Sequence, residues 1–206
     1  MSRAFPRLVP ATAGALALAA SATALAPATA VAESQAFAFD KSHTHILFFV
    51  DHLGFSAVQG EFLDYEGELT LDTEDPANSS VAVTIDVASL DSGHPPRDEH
   101  LLDADFFDAE AYPEMTFAST RVEPTGEDTA LVHGDLTIKG VTRPVVLDTR
   151  LNGLGPNPFA PDQTIAGFSA TTEIARSDFG MDFGLPAIGD TVEIRIEIEA
   201  SPLAEE

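Results

Sequence analysis

The chain has 206 residues, no cysteine, and 34 acidic against 10 basic side chains, giving a formal net charge of −24 at pH 7. The absence of cysteine excludes a disulfide framework and lipid attachment at a cysteine. A surface this acidic repels nucleic acid and anionic lipid headgroups. The charge fits a saline habitat, where salt screens self-repulsion, and equally fits an exported protein that is merely kept soluble.

The first 32 residues have the pattern of a secretory signal peptide. Arg3 and Arg7 precede an Ala/Leu-rich run over 8–25, and Ala30-Val31-Ala32 matches the small-residue rule for cleavage. The alternative is an uncleaved anchor helix, but polar residues and proline interrupt the run before it reaches about 20 apolar residues. We predict cleavage after Ala32 and a periplasmic or secreted protein. Residues 33–206 then form one domain of 174 residues, and the loss of two arginines moves the net charge from −24 to −26.

Apolar and polar residues alternate in many short segments of the mature chain, as expected for strands buried on one face. Such rows occupy 46–52, 58–62, 69–71, 81–87, 132–138, 145–147, 166–174 and 192–198. The phase slips between Phe62 and Leu69, which predicts a bulge or bend near 63–66. The pattern predicts an all-β domain, and it admits either a sandwich or a closed barrel.

One segment is predicted to be helical. Residues 95–107 begin with two prolines and two acids, which favour a helix start. Leu101, Leu102 and Phe106 would form its buried face. The helix should end before Tyr112-Pro113, because a residue that precedes proline avoids the helical region.

Six motifs follow one another along the mature chain. They are Asp40 with His43-Thr44, Gly60-Glu61-Phe62, Arg97-Asp98-Glu99-His100-Leu101 with Asp105-Phe106-Phe107-Asp108, Tyr112-Pro113, the segment 134–142, and Arg176-Ser177-Asp178-Phe179-Gly180. Each is weak alone, but together and in this order they resemble the YceI-like family, lipocalin-like bacterial proteins that bind polyisoprenoids and related lipids. Two features depart from the family pattern: His45, and the apolar Leu47 and Phe49 on a face expected to point outward.

The resemblance implies a fold and a function. The fold would be an eight-stranded antiparallel lipocalin-like barrel with a short helix between the middle strands. Its interior would hold a lipid tunnel, and a barrel of eight strands is wide enough for one elongated ligand. The chain would then carry or sequester a lipid and would not be an enzyme.

The inward rows supply the candidate ligand-binding residues, which would line either a tunnel or a solid core. Small residues within these rows, namely Gly60, Gly134, Ala166 and Ala170, favour an internal void. The predicted lining residues are Phe48, Val50, Phe62, Leu71, Val83, Ile85, Phe117, Leu136, Phe168, Ile194 and Ile196.

Arg97 and Arg176 are candidates for binding a polar lipid head such as a diphosphate, because a guanidinium presents a planar fork of donors. The alternative is structural: each arginine would pair with the neighbouring Asp98 or Asp178 and fasten the helix or a loop to the barrel. We favour the structural role overall, and consider Arg97 the better headgroup candidate, because a helix start beside it would add N–H donors.

Other chemistry has little support in the sequence. The six histidines lack the spacing of a metal site, and we predict neither metal nor cofactor. A Gly-x-Ser-x-Gly motif is absent, and no serine or carboxylate pair is marked for catalysis. We therefore predict an exported monomer or homodimer that binds an isoprenoid, either a polyprenyl lipid or an isoprenoid quinone. The alternatives are a binder of fatty acids or fatty amides and a secreted stress or interaction protein whose barrel is solid.

Overall fold

The computed structural model describes Met1 and residues 34–203, so the predicted signal peptide lies outside the described residues. Among the described residues, no helix is long and apolar enough to span a membrane. The elements are β1 Gln35–Phe39, β2 His45–His52, β3 Ser56–Phe62, β4 Tyr65–Leu71, β5 Ser80–Asp86, β6 Leu90–Asp91, α1 Pro95–Leu102, β7 Glu114–Pro124, β8 Thr129–Ile138, β9 Val141–Asn157, β10 Ala160–Ala175 and β11 Ile188–Pro202.

The strands form a closed barrel, as the family resemblance implies. Three long strands are each interrupted once, and their halves are β1 with β2, β3 with β4, and β5 with β6. Both β1 and β2 pair with β11. β3 pairs with β2 and β4 with β1, while β6 pairs with β3 and β5 with β4. Counted this way, eight antiparallel strands follow one another around the barrel, and β11 closes it against β1 and β2. Closure removes the free sheet edges that would invite aggregation.

The predicted bend between the second and third rows is confirmed. β3 ends at Phe62 and β4 begins at Tyr65, and both side chains are buried although they are three residues apart. Leu63 and Asp64 absorb the odd spacing and are exposed. The interruption lets both halves of one long strand keep their apolar side chains inside.

The helix α1 lies at one end of the barrel and is shorter than the predicted segment. It begins at Pro95 and ends at Leu102, and the chain then turns through 103–112 before β7. Leu101 and Leu102 are half-buried and Phe106 is buried, but Phe106 reaches the core from the turn and not from the helix.

The outward Leu47 and Phe49 do not leave a bare apolar strip. Both are half-buried, and the Arg195 guanidinium lies 4.6 Å from the centre of the Phe49 ring. Arg195 is held there by its Nε, which donates to Glu193 at 2.6 Å. A cation over an aromatic face stabilises both groups, and the arginine stem covers apolar surface.

Aromatic rings from neighbouring strands pack over the inward glycines and fill the space that their small size was predicted to leave open. A Cβ on Gly60 would lie 2.2 Å from Cζ of Phe48, its cross-strand partner. A Cβ on Gly134 would lie 2.4 Å from Cζ of Phe117. The glycines let these rings lie flat against the wall, so the interior space arises elsewhere.

We expect Gly60→Ala to destabilise the barrel by about 1–3 kcal/mol, because the added methyl group would displace the Phe48 ring that packs against Gly60. Urea unfolding followed by circular dichroism measures the change. Gly153→Ala is the matched control, since a Cβ there meets nothing within 4 Å. Equal unfolding midpoints for the two variants would show that the ring and glycine do not pack as described.

Candidate functional site

A cavity of about 610 Å³ runs through the barrel from one end to the other. Every one of the eight long strands contributes apolar side chains to its wall, because each strand turns alternate residues inward. The volume lies in the range of small-molecule sites, which are typically mostly apolar with a few polar groups. The interior is therefore hollow, and the solid barrel considered as an alternative is not what the chain forms.

All eleven predicted lining residues lie on the cavity wall, and their contact with a ligand stays a prediction. They fall on seven of the eight long strands, and the remaining one, β9, contributes Val145 and Leu147. The aromatic members are ordered by one another: the ring centres of Phe48 and Phe62 are 5.8 Å apart, and Phe107 stands edge-on to Phe62 at 5.6 Å.

The two ends of the cavity differ in charge. At the hairpin end, formed by 72–79, 125–128 and the tip of the β9–β10 hairpin, the polar groups on the wall include the carboxylates of Asp72, Glu127 and Asp128, of which Asp128 pairs with Arg150 at 2.6 Å. At the helix end, formed by 53–55, α1 and 176–187, they include the guanidinium groups of Arg97 and Arg176 together with one carboxylate, that of Asp51. An anionic group would be repelled at the first end and attracted at the second.

Arg97 lies on the wall at the helix end, and two of the three nitrogens of its guanidinium group donate hydrogen bonds within the protein. Its Nε donates to Ser92 Oγ at 2.7 Å, and Nη2 donates to the Ser92 carbonyl at 2.6 Å. Asp98 accepts from the backbone N–H of Ser92 at 2.9 Å and from its hydroxyl. Arg97 and Asp98 therefore both bond to Ser92. They do not form the direct ion pair that the sequence suggested. Nη1 has no protein acceptor among residues 34–203, so it can meet a ligand.

Arg176 is fully engaged by the loop around it. Only 3% of its surface is exposed, and the guanidinium donates to the carbonyls of Gly189 at 2.8 Å, Ile188 at 3.1 Å and Met181. Burial lowers the pKa of the Arg176 guanidinium. Its partners are carbonyl groups, not the exposed Asp178 that the sequence suggested. The residue ties 176–181 to the start of β11.

Aromatic side chains narrow the helix end of the cavity. His100 of α1, Phe106 of the following turn and Phe183 meet edge-on, with ring centres 5.0–5.4 Å apart. Edge-to-face packing at these distances is favourable beyond the area it buries. All three line the cavity, so a ligand that enters at this end passes their rings.

Asp40, His43 and Glu199 bring their ligand atoms within 4.8 Å of one another at the surface. Asp40 accepts from Ser42 Oγ at 2.6 Å and from the Ser42 N–H at 2.9 Å, and His43 Nδ1 lies 2.8 Å from its second oxygen. These bonds close the turn between β1 and β2, which accounts for the cluster without a metal. The hydrogen bonds from Ser42, and then from His43, lower the pKa of Asp40 to about 2.

This turn should make stability depend on pH. The Asp40 carboxylate contributes stability above its ordinary pKa of 3.8 and loses it as the pH falls through about 2. Asp40 raises the pKa of His43, whose contribution is full below 6.5 and fades as the pH rises through the raised value. We expect the difference in Tm between the wild type and Asp40→Asn to be largest between about pH 4 and 6. A difference that stays constant from pH 2 to pH 9 would contradict this.

The model of the YceI-like domain family matches residues 37–200 of this chain. This chain belongs to the YceI-like domain family. A UPF0312 protein of Pseudomonas putida (strain W619) is 42% identical over 157 residues, which cover 76% of this chain and 80% of that protein. The family resemblance inferred from the six motifs is confirmed.

Solved structures share the barrel of this YceI-like domain. BcnA of Burkholderia cenocepacia matches with a TM-score of 0.71 and 26% identity, over 78% of this chain and 98% of BcnA. A polyisoprenoid binding domain from Saccharophagus degradans, implicated in plant cell wall breakdown, matches with a TM-score of 0.56 and 15% identity, over 82% of this chain and 99% of that domain. The second likeness concerns the fold alone.

Sequence reasoning missed Ser92 and Phe183 at the helix end of this YceI-like domain. Ser92 was not identified as the residue that holds Arg97, because it lies outside the quoted motifs. Phe183 was not identified as a wall residue, since it lies in an irregular loop without alternation. The signal available for it was its large aromatic side chain in a glycine-flanked segment close to Arg176.

Proposed function

We propose that this chain is an exported binder of a long apolar lipid, with an isoprenoid as its ligand. The observation that carries the proposal is the apolar cavity of about 610 Å³ that extends through the barrel. Burial of apolar ligand surface against such a wall is favourable by roughly 25 cal/mol per Å², so binding needs no covalent step. The name of the Saccharophagus degradans domain, a polyisoprenoid binding domain, supports the ligand class.

The difference between the two ends of the cavity gives the ligand a direction. We propose that a polar or anionic head lies at the helix end beside Arg97, while the tail extends towards the acidic hairpin end. Long-chain polyprenyl and quinone lipids have one polar end and one apolar end, which fits this arrangement. The protein would sequester or ferry the ligand through the aqueous space outside the membrane.

Direct titration tests the proposed function. We expect a long-chain polyprenol to bind with a stoichiometry near one and a negative change in heat capacity, because apolar surface is buried. A fatty acid and a fatty amide of similar length serve as rival ligands in the same calorimetric experiment. Tighter binding of either rival would replace the isoprenoid with that class, and no binding of any of the three would refute lipid binding.

Replacement of Arg97 by glutamine tests the position of the head. A charge-assisted hydrogen bond in a shielded site is worth about 1.5–3 kcal/mol, so the variant should bind a polyprenyl diphosphate roughly tenfold or more weakly. Affinity for the matching uncharged polyprenol should change less than threefold. The control is Arg121→Gln, because Arg121 is exposed and lies outside the cavity wall. Equal losses for both lipids would place the head elsewhere.

A further inference from the structure

The helix end of the barrel displays large apolar side chains to solvent. Leu53 is 50% exposed, Phe55 is 91% exposed and Phe183 is 45% exposed. Leu53 and Phe55 form the tip of the β2–β3 hairpin, and the Leu53 N–H donates to Ala187 at 3.0 Å, which brings this tip beside the loop that carries Phe183. We name these three residues the apolar lip.

The apolar lip borders the opening of the cavity. Asp51 and His52, the last residues before the tip, lie on the cavity wall, as do Phe183 and Ile188. Ile188 pairs with His52 across the strands, so the same backbone that supports the lip also frames the opening. An apolar ligand that leaves the cavity at this end therefore passes directly onto exposed apolar side chains.

The backbone at the tip is strained, because Leu53 adopts a left-handed conformation. Leu53 has a φ of +62° and Gly54 a φ of +72°, the pattern of a hairpin turn in which Asn-Gly or Asp-Gly is preferred. A branched apolar residue is disfavoured in this left-handed conformation. The turn is stabilised independently by Asp51, which accepts from the Gly54 N–H at 2.9 Å. The leucine is thus not required by the turn itself.

We propose that the apolar lip docks the barrel on a zwitterionic lipid surface, from which the ligand enters or to which it returns. This inference rests on the proposed function. The net charge of −26 predicted for the processed chain argues for this occupant, because it repels both an anionic bilayer and a second copy of the chain. Docking lets the ligand cross between bilayer and cavity with little apolar surface in contact with water.

The test compares vesicle binding by the wild type and by the double variant Leu53→Asn/Phe55→Ser. The protein is isolated from its producing cells in the same processed form for all variants, and flotation with phosphatidylcholine vesicles measures the partition coefficient. We expect a loss of at least tenfold, because insertion of a leucine or phenylalanine side chain contributes about that factor or more. Phe159→Ser is the matched control: Phe159 is 98% exposed at the opposite end and should change binding less than twofold.

Two further measurements separate this inference from the proposed function. Polyprenol supplied from cyclodextrin without vesicles should bind the wild type and the double variant equally. The Tm of the double variant should be unchanged or higher, because asparagine tolerates the left-handed turn. Vesicle binding should weaken when anionic lipid is added, and salt should restore it.

Several results would overturn docking by the lip. They are an equal partition coefficient for the wild type and the double variant, an equal loss in Phe159→Ser, and a wild-type dimer that the double variant abolishes, which would make the occupant a second copy. Normal vesicle binding by a wild type that binds no polyprenol from cyclodextrin would instead refute the proposed function and leave the docking surface in place.

Discussion

Arg176→Gln should lower the free energy of unfolding by roughly 3–5 kcal/mol. The guanidinium donates to three carbonyl groups of the loop and of β11, and glutamine can replace at most one or two of these bonds. Each buried carbonyl left without a donor costs about 1–3 kcal/mol. Removal of the buried charge relieves some desolvation, but this gain is smaller than the loss of three charge-assisted bonds.

Urea unfolding measures the effect, with Arg195→Gln as the control. Arg195 is exposed and pairs with Glu193 on the barrel surface, so its loss should cost about 1 kcal/mol or less. Arg176→Lys should restore little, because an ammonium group cannot reproduce the planar fork. If the Arg176→Gln protein unfolds at the wild-type urea concentration but loses affinity for a polyprenyl diphosphate, Arg176 binds the ligand and does not fasten the loop.

Phe168→Asp should reduce lipid affinity by two orders of magnitude or more. Phe168 lies on the cavity wall and is half-buried, so a carboxylate there faces the ligand as well as the small core cluster against which Phe168 packs. A bound lipid would desolvate the carboxylate without a partner, at a cost of several kcal/mol. Ile194→Asp should act in the same way, since Ile194 is also half-buried on the wall.

The control for this pair is Thr171→Asp, which places the same charge on the outer face of β10. Circular dichroism and gel filtration establish that each variant is folded before affinity is compared. Normal lipid binding by a folded Phe168→Asp protein would show that the ligand does not occupy this part of the cavity.

The sequence predicted the wall of the barrel well, because alternation reports which face of a strand is inside. All eleven predicted residues lie on the cavity wall, and ten of them, all but Phe117, fall in the period-two rows. The odd spacing between Phe62 and Tyr65 appears where the phase slips. Alternation does not show where a strand is interrupted, how long the interruption is, or which strands pair. The closure of the sheet into a barrel came from the family resemblance and not from periodicity, and the pairing of β11 with both β1 and β2 is seen only in the structure.

The roles of the loop residues could not be predicted from local sequence. Arg176 bonds to carbonyls 5–13 positions along the chain, and Arg97 bonds to a serine five positions before it. The aspartates next to Arg97 and Arg176 in the sequence suggested ion pairs. In the structure, the loop around Arg176 places backbone carbonyls, and not Asp178, within hydrogen-bonding distance of its guanidinium group. The inward glycines were misinterpreted for a related reason: period two shows that Gly60 faces inward, but only the cross-strand register shows that Phe48 covers it.

The most direct test of the account is mass spectrometry of an organic extract from the protein isolated from its native producer, with Phe168→Asp extracted in parallel. We expect the wild type to release one isoprenoid lipid at close to one molecule per chain. The folded variant should release less than a tenth of that amount. An extract of the wild type that contains no lipid above the level of the variant would contradict the claim that the cavity is a lipid-binding site.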